Sequence, residues 1–195
     1  MGIGLIAVCT MKNIKDYIVV LKNIVPDELC DAILAEYSNS DGWDATAVGG
    51  GKPNKKVRNC DTIQMSQGFT IRDSEERKRL DDEMFKCAAK CIEEYNKRFD
   101  HVQVQEDTGY ELLRYNKGEF YIQHIDSFLQ APRLVSCSFH LNDDYEGGEF
   151  GFFDREMKIK AGKGDVVMFP STFMYPHEIM PVTEGTRYSI ITWYR

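Results

Sequence analysis

The sequence predicts an α+β fold in which an antiparallel β-sandwich or barrel is covered by helices that precede it in the chain. Two observations predict this arrangement. Helical apolar periodicity is confined to residues before Gly109, and beyond it the chain changes to short, strand-like runs separated by turn residues. Successive strands of this kind pair antiparallel and close into a sandwich or barrel.

The chain has 195 residues, of which 43% are hydrophobic and 28% are charged. This length allows a substantial core and favours one domain over residues 1–195, because a second full domain would have little room. Within it, we expect residues 1–107 to supply supporting strands and helices. Residues 108–195 should form the barrel that carries the functional site.

The overall charge argues against a nucleic-acid partner. The net charge is −7 and the isoelectric point is near 5.2, so no overall positive field attracts phosphate backbones. The basic cluster at residues 52–58 (KPNKKVR) follows three glycines and is interpreted as a solvated loop. Contact with a substrate is the alternative for this cluster.

Cysteine usage and the leader predict a cytoplasmic protein without a membrane segment. No C-x-x-C pair occurs, and the cysteines are interpreted as reduced core thiols, typical of a reducing compartment. The apolar run in residues 1–11 has no preceding basic residue and is far shorter than the ~20 residues that span a bilayer. The cysteines are Cys9, Cys30, Cys60, Cys87, Cys91 and Cys137.

The supporting region alternates strand and helix signals. Residues 17–21 (YIVVL) are β-branched and apolar, and residues 26–37 show a helical pattern. Residues 38–51 are rich in Ser, Asn, Asp and Gly and predict a loop, and residues 61–65 predict another strand.

The longest predicted helix runs over residues 74–99, with Ser74 as its N-cap. One side of this helix is apolar, and we expect it to pack against a sheet while the charged remainder faces water. The apolar side consists of Leu80, Met84, Cys87, Cys91, Ile92, Tyr95 and Phe99.

Seven strand-like runs follow Gly109 and predict the barrel itself. They cover residues 110–115, 119–126, 134–141, 147–153, 158–161, 165–170 and 186–194.

Two histidines and an aspartate form a candidate metal site. His124 and Asp126 lie two residues apart in a strand-like run, so their side chains project from the same face. His177 follows far enough along the chain to arrive from a different strand. Two imidazoles and one carboxylate leave adjacent octahedral positions open, as non-haem Fe(II) requires. Zinc hydrolases also use such ligands, and a satisfied polar pair is the plain alternative.

Arg187 is a candidate carboxylate-binding residue. It follows His177 by ten residues, on a terminal strand where it shares a face with Ser189, Ile191 and Trp193. A guanidinium held in the mouth of a barrel is suited to bidentate capture of a carboxylate. The alternative is a surface arginine at the start of a strand.

The run at residues 134–141 alternates an apolar face with a polar one. The polar face carries Ser136, Ser138 and His140. Water on that side would explain the alternation, and so would a barrel interior that holds a charged co-substrate. The sequence leaves both interpretations open.

These residues together resemble the prolyl 4-hydroxylase branch of the 2-oxoglutarate oxygenases. The likeness is dense over residues 111–194 and looser over residues 17–34 and at Arg58. The residues that carry it are Tyr115 to Asp126 (YNKGEFYIQHID), Arg133, His140-Leu141-Asn142, Gly147-Gly148-Glu149, Gly162-Lys163-Gly164-Asp165, Phe169, His177, Pro181-Val182, Gly185-Thr186-Arg187 and Trp193.

The resemblance implies a double-stranded β-helix, the jelly-roll or cupin-like barrel, with supporting helices from the N-terminal region. It also implies that Fe(II) is held by His124, Asp126 and His177. Arg187 would pair with the distal carboxylate of 2-oxoglutarate, and Tyr115 would hydrogen-bond the same co-substrate.

His140 falls where relatives often have Tyr, and by the resemblance it also contacts 2-oxoglutarate. Three further residues match positions on the substrate side of the branch, with core aromatics and a surface arginine as alternatives. They are Tyr121, Arg133 and Trp193.

The implied activity is hydroxylation with O₂ and 2-oxoglutarate, with succinate and CO₂ as co-products and ascorbate as the reductant. Asp126 favours hydroxylation, because halogenases of the family lack that carboxylate. A prolyl residue of a protein or peptide is the first substrate choice, and a free amino acid or other small molecule is the second. A nucleic-acid demethylase is disfavoured, since Trp193 stands where such enzymes carry a second arginine. A peptide-binding barrel without turnover and a zinc hydrolase are the alternatives from other classes.

Overall fold

The computed structural model describes residues 13–48, 51–66 and 74–195, so the leader and Cys9 lie outside the described residues. A 3₁₀ turn at Ile14–Tyr17 precedes the first strand. The helices are α1 (Asp27–Tyr37) and α2 (Glu75–Arg98). The strands are β1 (Val19–Leu21), β2 (Asp44–Ala45), β3 (Arg58–Asn59), β4 (Asp61–Gln64), β5 (Glu111–Tyr115), β6 (Phe120–His124), β7 (Val135–His140), β8 (Glu146–Gly147), β9 (Phe150–Phe152), β10 (Met157–Ile159), β11 (Val166–Pro170), β12 (His177–Ile179), β13 (Val182–Glu184) and β14 (Arg187–Tyr194).

Two antiparallel sheets form the barrel. The major sheet has the strand order β1-β11-β7-β14-β5-β4-β2, and the minor sheet has the order β10-β9-β12-β6-β3. Neighbours in each sheet come from distant parts of the chain, with β14 lying between β5 and β7, as a jelly roll requires. The fold is the predicted α+β double-stranded β-helix.

The helices cover the outer face of the major sheet. Ser74 caps α2, since its hydroxyl accepts a hydrogen bond of 3.2 Å from the backbone N–H of Arg77. The apolar side of α2 is buried as predicted, with Ile92 only partly covered. Tyr194 of β14 donates a hydrogen bond of 2.9 Å to the Ala88 carbonyl, which ties the helix to the sheet.

The alternation along β7 is now resolved. All six residues of the strand are buried, so its polar face does not meet water. Cys137 and Phe139 belong to the core beneath the helices, and the polar residues point into the barrel. The lumen interpretation of this pattern is therefore confirmed.

Strand prediction succeeded for the longer runs and failed for the shortest. The predicted runs after Gly109 contain β5, β6, β7, β9, β10, β11 and β14, but β8, β12 and β13 were not predicted. Those three have two or three residues each, so alternation is too brief to see. The predicted loop at residues 38–51 contains the short strand β2, and Tyr17 lies in the 3₁₀ turn rather than in a strand.

Three smaller expectations can be compared with the described residues. The five described cysteines are buried and free, which agrees with reduced core thiols. Residues 52–56 of the basic cluster are exposed, as predicted for a loop, but Arg58 turns inward. Within the described ranges, no helix is long and apolar enough to cross a bilayer. The division of the chain at residues 107 and 108 stays a prediction.

The packing of α2 against the sheet can be tested by replacing one buried and one exposed apolar side chain of the helix with alanine. Leu80 is fully buried, whereas Phe85 on the same helix is 60% exposed. We expect Leu80→Ala to lower the free energy of unfolding by about 2–5 kcal/mol, because a cavity remains under the helix. Phe85→Ala removes more carbon but should cost less than about 0.5 kcal/mol. Urea unfolding measures both, and an equal loss would contradict the assigned packing.

Candidate metal and co-substrate site

The two candidate histidine ligands form a cross-strand pair. In the minor sheet β12 pairs antiparallel with β6, and the register sets His177 directly opposite His124. Their ring centroids lie 4.2 Å apart. Side chains opposite each other on one face of a sheet are the closest neighbours that a strand pair offers. The register alone therefore brings together two ligands that are distant in sequence.

Backbone carbonyls orient both rings. Nδ1 of His124 lies 2.9 Å from the Ile122 carbonyl oxygen, and Nδ1 of His177 lies 3.1 Å from that of Tyr175. A carbonyl only accepts, so each Nδ1 carries the proton and each Nε2 keeps a free lone pair. This is the arrangement that ligating histidines show in metal sites.

Asp126 completes the cluster from the residue pair that follows β6. Its carboxylate oxygens lie 3.4 Å from Nε2 of His124 and 3.6 Å from Nε2 of His177. Ser136 in β7 donates a hydrogen bond of 2.6 Å to this carboxylate and lies 2.8 Å from the Ser171 hydroxyl. The carboxylate is thus held from the opposite sheet.

The electrostatics prepare these groups for a cation. Burial by itself would raise the pKa of Asp126, but His177, His124 and Ser136 hold that pKa well below its usual range. Burial, with a smaller contribution from His124, lowers the pKa of His177 to about 4. Near neutral pH the cluster therefore presents an ionised carboxylate and a neutral imidazole, the forms that bind metal.

The donor set fits a metal ion. One ligand atom from each of the three residues lies within 4.8 Å of the others. The nitrogen and carboxylate donors suit Fe(II), and the three residues leave room for further ligands on the cavity side. Zinc would accept the same donors, so the cluster alone does not choose between the metals.

A second cross-strand pair lies in the major sheet. The register of β14 and β5 sets Arg187 opposite Tyr115, with the guanidinium carbon 5.3 Å from the ring centroid. Each residue is only 1% exposed, which excludes a surface arginine. One guanidinium nitrogen donates to Ser189 at 2.8 Å, while Nε and the other terminal nitrogen are buried without a partner. An incoming carboxylate would satisfy both.

Gly148 makes room for this arginine. Its φ is +68°, a conformation that favours glycine, and an added Cβ would lie 3.0 Å from Cδ of Arg187 and 3.1 Å from the Tyr145 ring. The glycine is therefore required twice, for its backbone conformation and for the clearance of the arginine.

His140 lies at the end of β7, opposite Ser189 of β14. It is 1% exposed, and neither ring nitrogen has a hydrogen-bond partner among the described residues. Burial lowers the pKa of His140 well below its usual value, and Arg187 lowers it further. The ring is therefore neutral beside Arg187, although it does not line the main cavity.

The metal cluster and Arg187 share one cavity of about 570 Å³. All three predicted substrate residues line it as well. Tyr121 stacks on the His124 ring with centroids 3.5 Å apart. The guanidinium carbon of Arg133 lies 3.4 Å from the centroid of Trp193, and Arg133 donates 3.2 Å to the main-chain carbonyl of Asp126. Their outward position, next to the metal cluster, agrees with a substrate side.

Sequence reasoning missed several residues in and around this site. Ser136 was recognised as polar but not as the support of Asp126, and Ser171 gave no signal. Glu111 also lines the cavity and contacts Arg58 at 3.9 Å. The alternation of β7 could have identified Ser136, but Glu111 and Ser171 depend on which strands become neighbours.

Comparison with known proteins agrees with this geometry. Residues 110–195 match the model of the 2OG-Fe(II) oxygenase superfamily. This stretch contains both cross-strand pairs and Asp126. The match covers less than half of the chain, and over that stretch the chain is similar to this superfamily. The superfamily's description names Fe(II) and 2-oxoglutarate, whereas nothing in the match bears on ascorbate.

Relatives that match this part of the chain are named as hydroxylases. A PKHD-type hydroxylase of Idiomarina loihiensis is 37% identical over 86 residues, which cover 41% of this chain and 38% of that protein. Human prolyl 3-hydroxylase 2 is 36% identical over 67 residues, which cover 32% of this chain and 10% of that protein. The chain therefore spans well under two thirds of the length of these relatives.

Solved structures share the fold over nearly the whole chain. A Trichoplax adhaerens prolyl hydroxylase in complex with a hypoxia inducible factor peptide has a TM-score of 0.77 at 20% identity and covers 91% of this chain and 83% of its own. A Pseudomonas putida prolyl-4-hydroxylase has a TM-score of 0.70 at 20% identity, with 92% of each chain covered. At this identity the likeness establishes the barrel alone.

Metal binding can be tested by replacing a histidine of the cluster and, as a control, a histidine outside it. Removing a group that hydrogen-bonds to a metal ligand lowers metal affinity roughly 10-fold to 100-fold. Since His177 is a proposed ligand itself, we expect His177→Ala to lower the affinity more than ~100-fold. Anaerobic calorimetric titration with Mn(II) or Fe(II) measures the change. His101 is exposed and serves as the matched control, and His101→Ala should bind like the unchanged protein. Similar affinities for both variants would refute the assigned ligands.

Proposed function

We propose that this protein is an Fe(II)- and 2-oxoglutarate-dependent dioxygenase that hydroxylates prolyl residues of a protein or peptide. The observation that carries the proposal is the pairing of two sites in one cavity. A three-donor metal cluster stands on the minor sheet, and a buried guanidinium with two unpaired nitrogens stands on the major sheet. A metal hydrolase has no need of the second site, whereas 2-oxoglutarate needs both.

The position of each site residue suggests its role. His124, Asp126 and His177 would hold the iron, with Ser136 supporting the carboxylate at 2.6 Å. Arg187 would bind the distal carboxylate of 2-oxoglutarate. Tyr115 and the neutral ring of His140 would contact the co-substrate from neighbouring strands.

When bound, iron and 2-oxoglutarate with O₂ supply the oxidising chemistry, in which one oxygen atom goes to succinate as CO₂ leaves and the other goes to the substrate. The chain contributes orientation and exclusion of water. Apolar side chains surround the polar groups of the cavity, which strengthens each electrostatic contact inside. They include Leu113, Phe150, Ile179 and Ile191.

A prolyl substrate is supported by the outer part of the cavity and by the names of the relatives. Tyr121 and Trp193 line the cavity with aromatic carbon beside the metal cluster, at the place where a substrate side chain would enter. A pyrrolidine ring is largely apolar and would pack against such aromatic surface. On this basis we assign Tyr121, Arg133 and Trp193 to substrate contact. We also propose ascorbate as the reductant.

Hydroxylation of a free amino acid or small molecule is the second candidate, because the cavity of about 570 Å³ would also hold such a molecule. A barrel that binds metal and peptide without turnover is the third. Succinate formation separates the first two candidates from the third, and the substrate that gains oxygen separates the first from the second.

The deciding experiment supplies protein, Fe(II), ascorbate and 2-oxoglutarate, with and without Pro-containing peptides or free L-proline. We expect succinate in all mixtures, more of it with peptide, and a peptide mass gain of one oxygen atom. His124→Ala provides the background and His101→Ala the matched control. Succinate no higher than the background would refute the enzyme, and oxygen gain by L-proline alone would favour the second candidate.

Arg187 can be tested apart from the metal. Loss of a charge-assisted hydrogen-bonded pair costs about 1.5–3 kcal/mol, so Arg187→Ala should raise the KM for 2-oxoglutarate roughly 10-fold to 150-fold. Mn(II) affinity should change little, because Arg187 is not a ligand. Arg79→Ala, at an exposed ion pair on α2, is the control. Unchanged dependence on 2-oxoglutarate in Arg187→Ala would contradict the assigned contact.

A further inference from the structure

The charges that line the cavity do not balance. Among the described residues, three guanidinium groups line it, from Arg58, Arg133 and Arg187, and two carboxylates do, from Glu111 and Asp126. The cavity is thus locally basic in a chain whose net charge is −7. A charge removed from water is costly unless an opposite charge or strong hydrogen bonds compensate it. This need for a partner is strongest at Arg187, which is buried, and smaller at Arg58 and Arg133, which are only partly buried.

Two of the three guanidinium groups have a partner. Arg58 lies 3.9 Å from Glu111, whose other oxygen accepts a hydrogen bond from Gln64. Arg187 faces the distal carboxylate of 2-oxoglutarate, a step that rests on the proposed function. With 2-oxoglutarate bound, the two positive charges of the metal ion would balance one negative charge of Asp126 and one of the co-substrate's other carboxylate. One positive charge remains, at Arg133.

Arg133 has no ion-pair partner within 4.0 Å among the described residues. Its guanidinium carbon lies 3.4 Å from the centroid of Trp193, so the group covers the indole face. One nitrogen donates to the main-chain oxygen of Asp126 at 3.2 Å, which fixes the guanidinium next to the metal cluster. Stacking on the indole occupies the flat face and leaves the remaining edge donors available to a planar acceptor.

We infer that Arg133 binds a carboxylate of the substrate, placed within about two residues of the group that is hydroxylated. The spacing follows from the contact of Arg133 with the main chain of a metal ligand, since each residue of an extended peptide advances about 3.3 Å. A peptide carbonyl would satisfy N–H donors but leave the charge unmatched. A carboxylate matches both the charge and the fork of donors.

This carboxylate has two possible sources, an Asp or Glu side chain near the target proline or the terminal carboxylate of the substrate. Peptide pairs distinguish them. One pair carries Asp or Asn beside the proline with an amidated end, and the other ends at the proline as free acid or as amide. Free L-proline tests the smallest molecule with that carboxylate.

Binding is measured on the Mn(II)- and 2-oxoglutarate-loaded protein by tryptophan fluorescence, which responds to Trp193 without turnover. We expect one acidic member of a pair to bind at least tenfold more tightly than its neutral partner. Arg133→Gln should abolish that preference, Arg133→Lys should keep part of it, and Arg79→Gln should leave it unchanged. Mn(II) affinity reports whether each variant retains a folded site.

Equal affinities within both peptide pairs on the unchanged protein would overturn the inference, whatever the variants do. A carboxylate preference that persists in Arg133→Gln would also overturn it. Failure of the proposed function looks different: a carboxylate preference without succinate formation would remove the oxygenase and leave Arg133 as a carboxylate-binding residue. Succinate formation without the preference would remove only the inference.

Discussion

Antiparallel register is the constraint on which the rest of this structure depends. The pairing of β12 with β6 opposes His177 and His124, and the pairing of β14 with β5 opposes Arg187 and Tyr115. A slip of one residue in either pair would turn the side chain to the other face of its sheet. Both pairs stand on the inner faces of a closed barrel, which keeps them rigid. The positions of the proposed metal ligands and of Arg187 are therefore set by hydrogen bonds of the backbone.

The polar interior of the barrel is stable because its groups hold one another or await a ligand. Ser136 donates to Asp126 and lies against the Ser171 hydroxyl, and backbone carbonyls accept from both histidine Nδ1 atoms. Arg187 and His140 are the two described residues that each leave two buried nitrogen atoms without a partner, and they lie where the proposed co-substrate would bind. Buried polar groups without partners are rare in folded proteins, and here they are explained by a ligand that brings its own charge. The same side chains would therefore both select the ligand and become more stable when it binds.

Prediction from sequence followed the strength of the local signals. The N-cap at Ser74 and the apolar side of α2 were located because helical periodicity extends over many turns. His177 was expected on a strand of its own, but the bounds of that strand were not predicted, because β12 has only three residues and one of them is charged. Arg187 and the polar face of β7 were ambiguous in the sequence, since alternation does not reveal whether water or a lumen lies on the polar side. Burial of both in the folded barrel removed that ambiguity.

The sequence by itself determined the fold class and the identities of the candidate ligands, because residue type, alternation and spacing are local properties. The tertiary structure decided which side chains meet. It brought Ser136 to Asp126, set Glu111 against Arg58, and placed Arg133 on Trp193 with no described carboxylate within 4.0 Å. These contacts join strands that are distant in the chain, and their formation depends on sheet order and barrel closure. No local pattern contains that information, which is why the charge balance of the cavity became visible only in the folded protein.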